Sequence, residues 1–152
     1  MATRSAHRCL NPGTTIVVGT IDRDGVPGVC RAIAVASHDG LATLLVYLPV
    51  ATSHTTIQNL AATKRLAVTV MNPMDNSATQ LKGSLVDVRL AGDDEVGFVR
   101  RQFDAFIEAL DRLGVPKRLS RALRYWPAFE VQMRVEQMFE QTPGPQAGTP
   151  LK

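Results

Sequence analysis

The chain is poor in several kinds of feature, and each scarcity closes off a class of protein. Its 152 residues hold two cysteines, Cys9 and Cys30, far apart and in no CxxC pair. Neither has metal-ligand spacing with His7, His38 or His54, so a reducing compartment fits better than a secreted, disulfide-stapled one. No apolar run reaches the length of a membrane span, and the opening MATRSAHRCLNPG lacks the continuous apolar core of a signal peptide. A cytoplasmic protein without a membrane partner is expected. There is no internal repeat and no linker with domain-sized sequence on both sides, so one domain is expected. The basic residues are scattered, apart from Lys117, Arg118, Arg121 and Arg124, and no basic stripe is interleaved with aromatics. Nucleic acid is therefore not an expected partner, whereas a net charge of +3 suits a small anion. No nucleophile–base pair and no separated acid pair stands out. Asp93, Asp94 and Glu95 are adjacent and fit a helix start, where the helix dipole favours acids.

What is present is a series of short strands. TTIVVGTI at Thr14 to Ile21 is rich in β-branched residues. Asp22 to Gly25 reads as a turn with Gly25 at positive φ. Val29 to Ala36 alternates, its small face (Cys30, Ala32, Ala34, Ala36) suited to packing against something flat. After a turn at Ser37 to Gly40, Leu41 to Leu48 is a strand buried on both faces. Leu66 to Met71 is the fourth strand and Thr79 to Leu90 the fifth. In the fifth, the apolar set changes parity after Leu85, which calls for a bulge or bend there. Asp93 to Leu113 switches to a period of 3.6, closed by Gly114 and Pro116, and Lys117 to Leu123 suits a further short helix. Pro127 to Phe139 returns to strand composition. A helical insertion over 93–124 and an extended tail over 141–152 are thus expected around a mainly β, antiparallel barrel with flanking helices.

One stretch carries chemistry. LPVATSHTTIQNL at Leu48 to Leu60 is strand, hydroxyl-rich turn, then helix start. The first N–H groups of a helix lack internal partners and lie at its positive end, so this arrangement can hold a phosphate. The plainer alternative is that Ser53 or Thr55 caps the helix.

DRDGVPG, LPVATSHTTIQNL and TQLKG, in this order, with YWPAFE at Tyr125 to Glu130 and QTPGPQAG at Gln141 to Gly148, resemble the pyridoxamine-phosphate-oxidase-like family. That family is the FMN-binding split-barrel superfamily. The resemblance runs from about Thr15 to the C-terminus. It implies an antiparallel split β-barrel and a homodimer with FMN at the subunit interface. It implies FMN contacts from Arg31, Ala32, Ile33 and Ala34, a phosphate site at Pro49, Val50, Ser53, His54, Thr55 and Thr56, and contacts to the ring or ribityl chain from Gln80 and Lys82. Thr55 stands where many relatives carry a lysine, so positive charge must come from Arg31, helped by Lys82 or His54.

Alternatives remain open at single residues. Arg31 is a phosphate ligand, or a salt-bridge or edge residue; His54 is a cap, a phosphate donor or a haem ligand. Gln80 contacts flavin or solvent. Trp126 stacks near the partner's flavin or fills a core or interface. The helical insertion packs on the barrel or walls the substrate cleft. The expected function is an FMN-dependent oxidoreductase acting on a small-molecule substrate or electron donor. It is not a true pyridoxamine phosphate oxidase, because no second phosphate site is evident. The rivals are a non-catalytic flavin or electron carrier, and a deazaflavin- or haem-binding relative.

Overall fold

Runs of β-branched residues broken by Asp- and Gly-containing turns leave adjacent segments little choice but to pair antiparallel. The computed structural model describes residues 10–151. Its strands are β1 (Thr15–Ile21), β2 (Pro27–Ala32), β3 (Ala34–Ala36), β4 (Thr43–Pro49), β5 (Arg65–Met71), β6 (Ala78–Leu90), β7 (Ala128–Glu140) and β8 (Pro150–Leu151). A single 3-10 turn, Val50–Thr52, leads from β4 into helix α1 (His54–Thr63). Between β6 and β7 lie α2 (Val96–Arg112) and the short α3 (Lys117–Ser120). The sheet order is β2-β1-β5-β6-β7-β4-β3, with β8 on β7, and every pair is antiparallel.

The two edges of this sheet are successive pieces of one strand. β2 pairs with β1 and β3 with β4, and the chain passes between them at Ile33, whose N–H donates to the Tyr47 carbonyl at 2.9 Å. That break curls the sheet into a half-open barrel. Val18, Val46, Val68, Val70, Val131 and Met133 fill its interior without solvent exposure. The break also corrects the expectation of one alternating strand over Val29 to Ala36. Cys30 and Ala32 face the barrel interior, but after Ile33 the parity flips, and Ala34 faces outward beneath α2 while Val35 turns inward. The small residues therefore do not form one face.

β6 carries the anticipated irregularity, a register shift between Leu85 and Asp87, and a second between Lys82 and Gly83. The amphipathic α2 buries Val99, Phe103 and Ile107 in a second cluster with Ile33, Ala34, Tyr47 and Ala128. The acids before it do not enter its first turn; Glu95 stands at the N-cap position and makes no side-chain cap bond. The C-terminal segment, expected to be extended, folds back instead. Gly148 N–H donates to Glu140 O at 2.7 Å, and β8 places Leu151 opposite Met138, so the end of β7 gains backbone partners. Among the described residues no helix is long and apolar enough to cross a membrane. His7 and Cys9 lie outside the described residues.

Candidate functional site

Alternation along strands, combined with the registers, gathers several candidate residues on the outer face of the sheet. Arg31 lies opposite Val17, Val17 opposite Thr69, and Thr69 opposite Gln80. The adjacent row runs Val29, Gly19, Ala67, Lys82. Arg31, Gln80 and Lys82 thus share one face, with Arg31 and Gln80 three strand spacings, about 14 Å, apart. Gln80 Nε2 donates to Thr69 Oγ1 at 3.2 Å, and the Lys82 ammonium sits over the Phe139 ring at 4.7 Å. A groove of about 440 Å³ opens on this face, lined by Gly19, Ile21, Pro27, Val29, Arg65 and Lys82.

Two features of this face have no explanation among the described residues. Val29 is 74% exposed, the most of any large apolar residue described, beside exposed Ile21 and Val17. Gly19 sits in mid-strand, where glycine is unfavourable, yet a Cβ there would come no nearer than 4.0 Å to any atom, the Ala67 carbonyl oxygen. A glycine not required by its own neighbours marks a surface that something else approaches closely.

The turn after β4 is only partly available. Ser53 is fully buried and donates its hydroxyl to the Pro49 carbonyl at 2.7 Å, four residues back. It therefore does not cap α1, which starts with no side-chain cap at all. Thr56 is buried and hydrogen-bonded to the Cys30 thiol, whose pKa burial pushes up. His54 and Thr55 are exposed and Val50 half-buried. Thr55 lies beside Gly28, where a Cβ would meet its γ-methyl at 3.4 Å and the Asn59 amide at 2.9 Å. Gly28 also lines the groove, but its Cβ direction, towards Thr55, Asn59 and the buried Thr20, is the inner face of the sheet, and no residue of α1 lines the groove.

Other candidates are covered. Ala32 is in the barrel core, and Ile33 and Ala34 lie under α2, so their side chains do not face solvent. Pro49 is buried. Trp126, half-buried, packs on the α2 cluster next to Tyr125, which stacks on Phe103 at 4.6 Å. The basic group near α3 is tied down at Lys117, which pairs with Glu108 at 2.6 Å and with Asp111 at 3.8 Å.

Sequence reading missed a polar network at the foot of α2. Arg89 holds Glu95 with both prongs, at 2.7 and 2.9 Å, and Glu130 at 2.6 Å. The Tyr47 hydroxyl donates to Glu95 at 2.8 Å and lies 3.2 Å from Glu130, while Gly92 N–H also donates to Glu95 at 2.7 Å. A tyrosine, an arginine and two glutamates on four separate segments leave no periodic trace. Hydrogen bonding to Arg89 holds the Glu95 carboxyl down at about 2, against an ordinary 4.5. Glu130 is pushed up, first by burial and then by its hydrogen bond with Glu95, against the pull of the Arg89 charge. Burial and the two acids raise the Tyr47 phenol. Glu95 is thus ionised at the guanidinium, and the network pins the start of α2 to β4, β6 and β7.

The signs of the two acids oppose each other. Glu95 contributes stability that is complete above pH 4.5 and is lost as the pH falls towards 2. Glu130 favours the fold when protonated, a contribution lost as the pH rises through its elevated pKa. Thermal melts from neutrality down to about pH 2 should therefore fall along an acid limb that Glu95→Gln flattens. An acid limb unchanged by that variant would remove Glu95 from this account.

No protein-family model matches the chain. No curated protein matches it either. Solved structures do. The fold is similar to an F420 reductase, at 14% identity over 87% of this chain and 94% of that one, with a TM-score of 0.56. It is similar to an FMN-binding protein of Syntrophomonas wolfei, at 13% identity over 91% and 82%, with a TM-score of 0.53. It is also similar to a Clostridium acetobutylicum protein of the pyridoxinephosphate oxidase family, related to general stress protein 26. That match has 14% identity over 90% and 84%, with a TM-score of 0.51. An antiparallel sheet curled into a half-barrel, broken at Ile33 and flanked by α1 and α2, is the split-barrel fold that these solved structures share.

Proposed function

We propose that the chain is a homodimeric FMN protein, and that a second copy closes the flavin against the outer face of β2, β1, β5 and β6. The observation that carries this is Gly19 among exposed apolar neighbours, between Arg31 on one side and Gln80 and Lys82 on the other. The residues fit a phosphorylated flavin. Arg31 and Lys82 have no carboxylate partner among the described residues, and each rests on an aromatic ring. The exposed His54 and Thr55 stand at an uncapped helix start, which favours an anion. The Gly19–Ala67 floor admits a flat group. Ser53 and Thr56 serve the turn itself rather than the ligand, and Ile33 and Ala34 act through their backbone.

Bound FMN supplies redox chemistry with one or two electrons, which no side chain here provides. The residues bind, orient and exclude water: Arg31 takes the phosphate, Gln80 and Lys82 offer donors to the ring or ribityl chain, and Val29 and Ile21 seal the edge. An oxidoreductase acting on a small molecule in a reducing cytoplasm is the activity this arrangement supports.

Mass spectrometry of the small molecule released on denaturing the purified protein tests the cofactor, and FMN is the expected mass. A deazaflavin would keep the site and change its occupant, whereas haem would overturn the assignment. Arg31→Ala should weaken FMN binding by about 10–100-fold, the loss expected for one charge-assisted contact, with the fold retained. Unchanged affinity would take Arg31 out of the phosphate site. Light scattering should give twice the 16.5 kDa chain mass. A monomer binding FMN stoichiometrically would reject the shared site.

A further inference from the structure

Arg31 is half-buried, and its guanidinium carbon lies 4.1 Å from the centroid of the Phe106 ring on α2. No ion pair among the described residues involves it. Burial alone shifts its pKa, downward, with no acid to oppose that. A ring face attracts a guanidinium but accepts none of its five in-plane N–H groups as strong hydrogen bonds. A stacked Arg31 therefore keeps its donor edge free while losing much of its freedom to turn. Phe106 itself is held firmly: it is 5% exposed, on a helix anchored by the buried Phe103 and Ile107.

We propose that Phe106 is a positioning residue, holding the Arg31 fork edge-on for the flavin phosphate, so that α2 makes the site prefer FMN over riboflavin. This rests on the FMN reading above. It assigns α2 a task within the cofactor site, where the sequence suggests packing on the barrel or a wall of the substrate cleft. The expected coupling is modest. A pre-oriented fork loses less freedom on binding a bidentate oxyanion than a free one.

The test is a titration of FMN and of riboflavin into wild type, Phe106→Leu, Phe106→Tyr, Arg31→Ala and the Arg31→Ala/Phe106→Leu double variant, with melting temperatures taken alongside. Phe106→Met replaces the leucine variant if that one does not fold. Phe106→Leu should weaken FMN by roughly 3–10-fold, the scale of one cation–π contact, and leave riboflavin within about twofold. Phe106→Tyr, which keeps a ring, should bind FMN as wild type does. In the Arg31→Ala background the leucine substitution should change nothing further. Wild-type FMN affinity in Phe106→Leu, or an equal loss of FMN and riboflavin, overturns the positioning role while leaving Arg31 at the phosphate. Failure of wild type to bind FMN at all sinks the FMN reading and this inference with it.

Discussion

Gly83→Ala is expected to destabilise the protein by about 3 kcal/mol or more, lowering the melting temperature by roughly 6–12 °C. Gly83 lies in β6 at the register shift after Lys82, where β6 and β7 pass unusually close. A methyl group on its α-carbon would be driven into the Arg134 carbonyl, and would also press on the carbon of that carbonyl at 2.9 Å and on Met133 Cε at 3.0 Å. The methionine tip can move. The carbonyl is part of the β7 ladder and cannot move without parting the two strands. Gly97→Ala is the matched control. Its nearest contact is Arg101 Nη1 at 3.5 Å, in the open part of α2, so that change should raise stability by about 0.5–1 kcal/mol. Equal effects from the two substitutions would mean that β6 and β7 are not in the register described.

The same comparison shows how much of the fold was legible in sequence. The parity change after Leu85 located one shift in β6 because Val86, Val88 and Leu90 visibly change phase. The shift at Gly83 was silent, since a glycine fits either face of an alternating pattern and its tight contact is with another strand. The 3.6-residue period discloses α2 but not which strands it covers; Ile33 and Ala34 lie in its cluster with Phe103 and Val99. The strand through Ile33 looked continuous because a break made by barrel closure is a tertiary event. At the site, Arg31 was conspicuous as a charge in a small, apolar strand. Its ring partner Phe106, seventy-five positions further on, was not. Inside TTIVVGTI nothing distinguishes Gly19; the empty space above it gives it meaning.

Gly19→Val carries the other large expected effect. Among the described residues the substitution is expected to be benign, since its Cβ would meet nothing nearer than 4.0 Å and a β-branched residue suits mid-strand better than glycine. Its cost falls entirely on whatever lies against the outer face. If flavin and a second copy press on that face, the valine intrudes in both protomers, and each intrusion costs about 1–3 kcal/mol as overpacking. FMN affinity should then fall by roughly 5–150-fold per intrusion, and the dimer should weaken with it.

The measurement closest to the central claim is therefore a pair of readings on Gly19→Val: its melting temperature without ligand, and its FMN affinity by flavin fluorescence titration. The account predicts a melting temperature at or above that of wild type, together with FMN binding weakened by roughly 5–150-fold or more. Wild-type FMN affinity in a folded Gly19→Val protein would contradict it, because the flavin would then lie elsewhere on the barrel.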